Sequence, residues 1–281
     1  MAHQKVASLL LLLLGRTAIA LPYSQQQLAA QTNLKRIQAI ARDEKLALLE
    51  YTTKPTLRKE HTKQHSGLLA KGDTYDASLF SAEHAAFKAA HNAVFATVSA
   101  RLARRESDCV FFLDGRDAAT TRALLDPAPR PFAAAQLLAA NRHADTCTAI
   151  RAEGPEVVHA SARRALSGAF ADRDIVGYYL DACSGAVSPL VETLDAALAP
   201  RPSVAPPDKV VLGFTLTNAC KSGENLHDRE QRVVCAVRSL GERVGYARMC
   251  RVADDPGVWG LTEPIWRFAD GILTTWLVLS I

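Results

Sequence analysis

Asp108-Cys-Val-Phe-Phe-Leu-Asp114-Gly115 and Asp174-Ile-Val-Gly-Tyr-Tyr-Leu-Asp181-Ala182 are built alike. Each is a short apolar run that ends in Leu-Asp and a small residue. A continuous apolar run of this length fits a strand buried on both faces, as strands of parallel sheets are. Open α/β sheets bind their ligands beyond the carboxyl ends of such strands. Two acids at two such ends predict a small-molecule site, with Asp114 and Asp181 as its first candidates.

Working outward, Phe87, His91, Val94, Phe95, Val98 and Leu102 recur at helical spacing behind Ser81, a favourable N-cap, and predict a helix over 81–105. Strand and helix patterns then alternate: strand 109–114, helix 118–126, strand 134–140, helix 144–153, strand 156–160, strand 175–181 and helix 188–198. Pro200, Pro202, Pro206 and Pro207 cannot continue that helix. Strand 209–216, a polar loop, helix 229–244, strand 247–252 and the β-prone run 272–281 complete the order. Such alternation predicts a mostly parallel sheet covered on both faces. The last two strands are separated by about 19 residues with no helical pattern, whereas parallel neighbours are joined by a longer crossover, so one of them inserts antiparallel.

The formal charge of +4 is unevenly spread. Residues 1–72 carry 11 Lys/Arg against 4 Asp/Glu, and residues 73–281 carry 22 against 25. The second part lacks the basic footprint of a nucleic-acid-binding domain, and the Arg101, Arg104, Arg105 cluster reads as a solvated face. Lys5, the apolar core Val6–Leu14 and Ala18-Ile-Ala20 read as a secretory signal peptide over residues 1–20. That core is shorter than the ~20 residues of a stable membrane span. Residues 21–74 form a basic, hydroxyl-containing targeting or linker segment, with an amphipathic helix as the competing reading. The predicted destination is the secretory pathway, ending in secretion or, if 21–74 is a transit segment, in a plastid. The six cysteines at 109, 147, 183, 220, 235 and 250 are dispersed among strand-like and helix-like runs, without a CxxC pair or metal-ligand spacing. They read as core thiols rather than a disulfide framework.

Seven strands with helices between them, one more helix before the first strand, and a closing antiparallel pair resemble the class I S-adenosylmethionine-dependent methyltransferases over residues 75–281. The resemblance implies a Rossmann-like α/β fold: a seven-stranded, mostly parallel sheet with helices on both faces and an antiparallel closing strand. It implies S-adenosylmethionine as cofactor. The first strand of that family runs into a glycine-rich turn beside the methionine moiety. Here the matching stretch is Phe111-Phe-Leu-Asp114-Gly115-Arg-Asp-Ala-Ala-Thr-Thr-Arg122, in which only Gly115 survives. The following helix start would offer N–H groups to a carboxylate, with Thr120 and Thr121 as further donors. Asp114 as the cap of that helix is the competing structural reading. Asn141 ends the second strand, where the family usually has an acid that holds the ribose hydroxyls, and an amide can still accept and donate there. A loop or cap role for Asn141 has similar weight. Ser161, after the third strand, would lie near the adenine, while His159 is read as outward-facing.

Asp181, at the end of the fourth strand, falls beside the transferable methyl and is the catalytic candidate, as general base or substrate-orienting group. An Asp here binds a divalent metal in some small-molecule O-methyltransferases. The fifth strand ends in Thr217-Asn218 and lacks the second carboxylate of that subgroup, so a divalent metal is not expected and no metal ligands are assigned. Cys183 reads as a small core thiol, His227 and Arg229 as possible substrate contacts, Asp228 as a helix cap, and His91-Asn92 as a helix surface. The implied function is methyl transfer to a small-molecule acceptor, a hydroxyl being the group considered. The alternative is a catalytically inactive interaction module of the same fold, favoured by the missing glycines. A nicotinamide-dependent oxidoreductase is disfavoured, because no G-x-G-x-x-G follows any strand.

Overall fold

The computed structural model describes residues 82–126, 131–184, 186–200, 206–218, 224–269 and 271–281. The signal-peptide and basic-segment readings, the Ser81 cap and Cys220 lie outside these residues. Helix α1 (Ala82–Leu102) is alanine-rich, with Glu83 in its first turn and Arg101 in its last, both favourable to the helix dipole. Its stripe of Phe87, Val94, Phe95 and Val98 is buried, each large side chain contributing about 2 kcal/mol. Asp108 closes the turn into the sheet by accepting the Arg104 and Arg105 N–H groups at 2.7 and 2.9 Å.

The elements that follow are β1 (Cys109–Phe112), α2 (Ala119–Leu125), β2 (Leu137–Asn141), α3 (Ala144–Ala152), β3 (Glu156–His159), α4 (Ala162–Leu166) and β4 (Ile175–Ser184). After these come α5 (Val187–Leu198), β5 (Lys209–Thr217), α6 (Leu226–Arg243), β6 (Arg248–Arg251), β7 (Phe268–Ala269) and β8 (Ile272–Ser280). The sheet order is β3-β2-β1-β4-β5-β8-β6, with β7 paired to β8. Strands β1 to β5 are mutually parallel, and β8 runs antiparallel to β5, β6 and β7. The Rossmann-like, mostly parallel sheet with an antiparallel insertion is therefore present.

Strand alternation sends side chains to two cores. Val110, Phe112, Tyr179, Val211, Trp276 and Val278 pack with α1, α2 and α3. Phe111, Tyr178, Leu180, Leu212, Phe214 and Leu277 pack with α4, α5 and α6. Gly213 makes room for its neighbour across the sheet: a Cβ there would stand 2.1 Å from the Trp276 ring. The indole is then held by its N–H, which donates to His91 Nδ1 at 2.8 Å.

Three expectations are corrected. The sheet has eight strands rather than seven, because the two-residue β7 is too short to leave a periodic pattern. The five-residue helix α4 was missed for the same reason. The stretch expected to begin β2 at residue 134 is a 3-10 turn, Ala134–Gln136, where Gln136 accepts the Ala133 N–H and donates to the Asp108 carbonyl.

Candidate functional site

The parallel strands deliver four of the predicted residues to one edge. In sheet order, Ser161 follows β3, Asn141 ends β2 and Asp114 follows β1, whereas Asp181, expected at the end of its strand, lies inside β4, which runs on to Ser184 with a shift of register after Leu180. Between β1 and β4 the strand order reverses: β1 leads outward to β2 and β3, and β4 leads the other way to β5. Ligands of open α/β sheets settle at such a switch point. Asp114 and Asp181 stand on its two sides.

Asp114 is buried and saturated. Its Oδ1 accepts the Gly115 and Thr120 N–H groups at 2.9 and 3.2 Å, and its Oδ2 accepts the Thr121 N–H at 2.8 Å and the Thr121 hydroxyl at 2.7 Å. Burial pushes its carboxyl above the ordinary range, against those donors, which favour the anion. The first amides of α2, which the sequence suggested for a ligand carboxylate, are thus met by the protein's own acid. The Thr120 hydroxyl donates inward to Asn92 Oδ1 at 3.0 Å. Ala118, the one non-glycine residue with positive φ among those described, is left-handed at 49°. That conformation costs a residue with a Cβ roughly 1–2 kcal/mol, and it keeps the tight turn in the absence of a glycine.

The neighbouring strand ends keep polar capacity to spare. Asn141 donates one amide hydrogen to the Asp114 carbonyl at 3.0 Å and accepts the His143 N–H at 2.9 Å. A second amide hydrogen and a second carbonyl lone pair remain. Ser161 caps α4 by accepting the Arg164 N–H at 3.3 Å, which leaves its hydroxyl hydrogen to donate. These two residues fit a ribose diol and an adenine edge. The Thr120 and Thr121 amides expected to meet a ligand carboxylate are instead bound to Asp114. Lys88 is the ammonium that α1 brings to this edge.

Asp181 faces α1, with 11% of its side chain exposed, and its Oδ2 lies 2.9 Å from Lys88 Nζ. One turn further along α1 is His91, buried rather than on the helix surface where sequence reasoning placed it; Asn92 is buried with it. Burial lowers the His91 pKa from 6.5 to about 4, outweighing the nearby Trp266 backbone and the Asp181 charge, which favour protonation. The ring is neutral, and because Nδ1 accepts from Trp276 the hydrogen belongs on Nε2. The signal was in the sequence: His91 occupies a position of the same apolar stripe as Phe87 and Phe95.

Beyond β5, Asn218 N–H donates to the Gly271 carbonyl at 2.9 Å. His159 is exposed, as expected, with Nε2 2.8 Å from the Arg142 carbonyl. The α6 cap is corrected: Asn225 caps the helix by accepting the Asp228 N–H at 2.9 Å, and Asp228 sits three residues inside. Arg229 is buried and donates to the Thr217 carbonyl at 2.8 Å, so it ties α6 to the end of β5, while His227 is exposed. Among the described residues no three His, Cys, Asp or Glu side chains group as a metal site. A cavity of about 120 Å³ opens at the opposite, amino edge, between Tyr178, Pro200, Pro207, Val210 and Tyr246. It is well below the ~300 Å³ of an ordinary small-molecule site and lies away from the switch point.

No family model and no curated protein sequence matches the chain. Forty-two chains of solved structures align with it. EvdMO1 aligns at 15% identity over 68% of this chain, with a TM-score of 0.39, and the chain spans about 40% of EvdMO1's length. The plantazolicin methyltransferase BamL, solved in complex with a triazolic desmethylPZN analog and SAH, aligns at 7% identity over 69% of this chain and 84% of its own, with a TM-score of 0.40. A TehB-like SAM-dependent methyltransferase from Corynebacterium glutamicum aligns at 15% identity over 66% and 86% of the two chains, with a TM-score of 0.37. SAM-dependent methyltransferases recur among the aligned structures.

Proposed function

We propose that this protein transfers a methyl group from S-adenosylmethionine to a small-molecule hydroxyl. One observation carries the reading: Ser161, Asn141, Asp114 and Asp181 line up along the carboxyl edge of four adjacent parallel strands, astride the switch point. Asn141 would hold the ribose hydroxyls and Ser161 the adenine, and Gly115, the small residue after β1, would admit the cofactor close to the backbone. Asp114 and Thr120 would act one step back, holding the turn in shape. Bound there, S-adenosylmethionine supplies an electrophilic methyl on a sulfonium.

Asp181 would receive or orient the proton of the acceptor hydroxyl, with the Lys88 ammonium 2.9 Å from its Oδ2. Asp181→Asn is expected to lower turnover about 100-fold, within the range of a lost general base, while leaving the affinity for S-adenosylhomocysteine unchanged. Steady-state kinetics beside calorimetry of the same variant reads both. Unchanged turnover would remove Asp181 from the chemistry.

A second reading, a non-catalytic interaction module of the same fold, is favoured by one observation. The α2 amides that would receive a ligand carboxylate are occupied by Asp114. It requires that S-adenosylmethionine not bind at all.

A further inference from the structure

Helix α1 touches both sides of the crevice where β1 and β4 part. Phe112 of β1 pairs with Tyr179 of β4, and the Leu113 N–H donates to the Tyr179 carbonyl at 3.0 Å. Asp114 and Asp181 each come two residues beyond that pair. On the β1 side, Asn92 Oδ1 accepts the Thr120 hydroxyl at 3.0 Å, and the Thr120 N–H is held in turn by Asp114. On the β4 side, Lys88 Nζ lies 2.9 Å from Asp181 Oδ2. Lys88 and Asn92 stand one turn apart on α1 and share one of its faces, a spacing that puts their Cβ atoms about 5–6 Å from each other. Asn92 is only 6% exposed, and its oxygen is taken by Thr120, but its amide N–H₂ has no hydrogen-bond partner among the described residues. A donor so nearly buried is poorly hydrated, so an oxygen brought by a ligand recovers a hydrogen bond that water makes only in part.

We propose that Asn92 and Lys88 form a carboxylate subsite, which takes the methionine carboxylate of the cofactor from α1 while Asp114 holds the amides of α2. The choice of S-adenosylmethionine as the ligand rests on the methyl-transfer reading. The chemistry of the two groups selects the ligand atoms. The ammonium only donates, through three N–H bonds, and with its oxygen engaged the Asn92 amide also only donates. They suit a ligand group that only accepts. An ionised acceptor is favoured over a neutral one, because hydrogen bonds with a charged partner are roughly twice as strong. Lys88 would stand between Asp181 and the ligand carboxylate, one ammonium serving two anions.

The test titrates the full chain calorimetrically with S-adenosylhomocysteine and with 5′-methylthioadenosine, which keeps the nucleoside and lacks the amino-acid group. Wild type is expected to bind S-adenosylhomocysteine about tenfold more tightly than 5′-methylthioadenosine, the gain from charge-assisted hydrogen bonds. Asn92→Asp keeps an acceptor for Thr120 but sets an oxygen against the ligand carboxylate, and Lys88→Met removes the cation. Each should erase most of that tenfold preference while 5′-methylthioadenosine binds as before. Asn92→Asp is scored only with an unchanged thermal midpoint; if it unfolds, Lys88→Met on the partly exposed side of the helix decides. Equal affinity of wild type for the two ligands, with 5′-methylthioadenosine bound, overturns the subsite and keeps the nucleoside site. A preference that survives both substitutions, or variants that weaken both ligands in parallel, also overturns it. Binding of neither ligand rejects the methyl-transfer reading and the subsite with it.

Discussion

Asp114→Ala is expected to destabilise the protein by about 3–4 kcal/mol. The substitution strands the Gly115, Thr120 and Thr121 N–H groups and the Thr121 hydroxyl around a site shielded from water. Each buried donor left unmade costs roughly 1–3 kcal/mol, with water that enters the vacated volume recovering part of the total. The same carboxylate holds Ala118 in its left-handed turn and starts α2, so the loss also frees a strained backbone. Asp114→Asn keeps the shape but turns an amide N–H₂ toward donors, and should cost about half as much. Urea denaturation of the two variants reads both values. A loss of affinity for S-adenosylhomocysteine with unchanged stability would instead make Asp114 a direct cofactor ligand.

Glu230→Ala should destabilise by about 3 kcal/mol. The buried carboxylate of Glu230 joins Arg251 of β6 and Arg267 before β7, and accepts the Thr275 hydroxyl of β8 at 2.7 Å. His227 Nδ1 lies 3.6 Å from its second oxygen. One carboxylate thus ties α6 to the antiparallel end of the sheet. Breaking a buried ion pair usually costs 3–5 kcal/mol, and the lower end applies because Arg251 and Arg267 are partly exposed and can turn to water. Burial pushes the Glu230 carboxyl up, but the Thr275 hydrogen bond, the Arg251 hydrogen bond and charge, and the Arg267 charge outweigh it and hold the pKa below the ordinary 4.5. A depressed carboxyl stabilises the fold fully above its unfolded-state pKa, so this contribution is intact above about pH 4.5 and is lost as pH falls through the lower folded-state value. Stability curves of wild type and Glu230→Gln should converge in acid. Parallel curves down to pH 2 would assign the acid sensitivity to other groups.

The architecture was legible because its long elements are periodic. The helical stripe Phe87 to Leu102, the two Leu-Asp strands and the short gap before 272–281 carry the order of elements along the chain and the antiparallel insertion with little help from tertiary context. What escaped was short or ambiguous by nature. The five residues of α4 and the two of β7 are below the length at which periodicity shows. At α6, Asn225 and Asp228 are both good capping residues, and only the backbone geometry decides between them.

The candidate site was legible in place but not in role. Asp114 and Asp181 both close a Leu-Asp stretch of the sequence, yet one faces a helix start with four donors and the other a lysine across from it. Spacing along a strand cannot show that difference, because it depends on which helix covers the strand. His91 was misplaced for a related reason: an ionisable residue in an apolar stripe reads as exposed until a partner such as Trp276, 185 residues away in the chain, is found for it.

In the methyl-transfer reading, the carboxyl edge at the β1/β4 switch point binds the nucleoside end of S-adenosylmethionine through Asn141 and Ser161. Calorimetric titration of the full chain with S-adenosylhomocysteine, beside Asn141→Ala, tests it most directly. Saturable 1:1 binding that Asn141→Ala weakens about tenfold, the loss of roughly one good hydrogen bond to ribose, is the predicted result. No heat at millimolar ligand, or equal affinity in the two proteins, would contradict it.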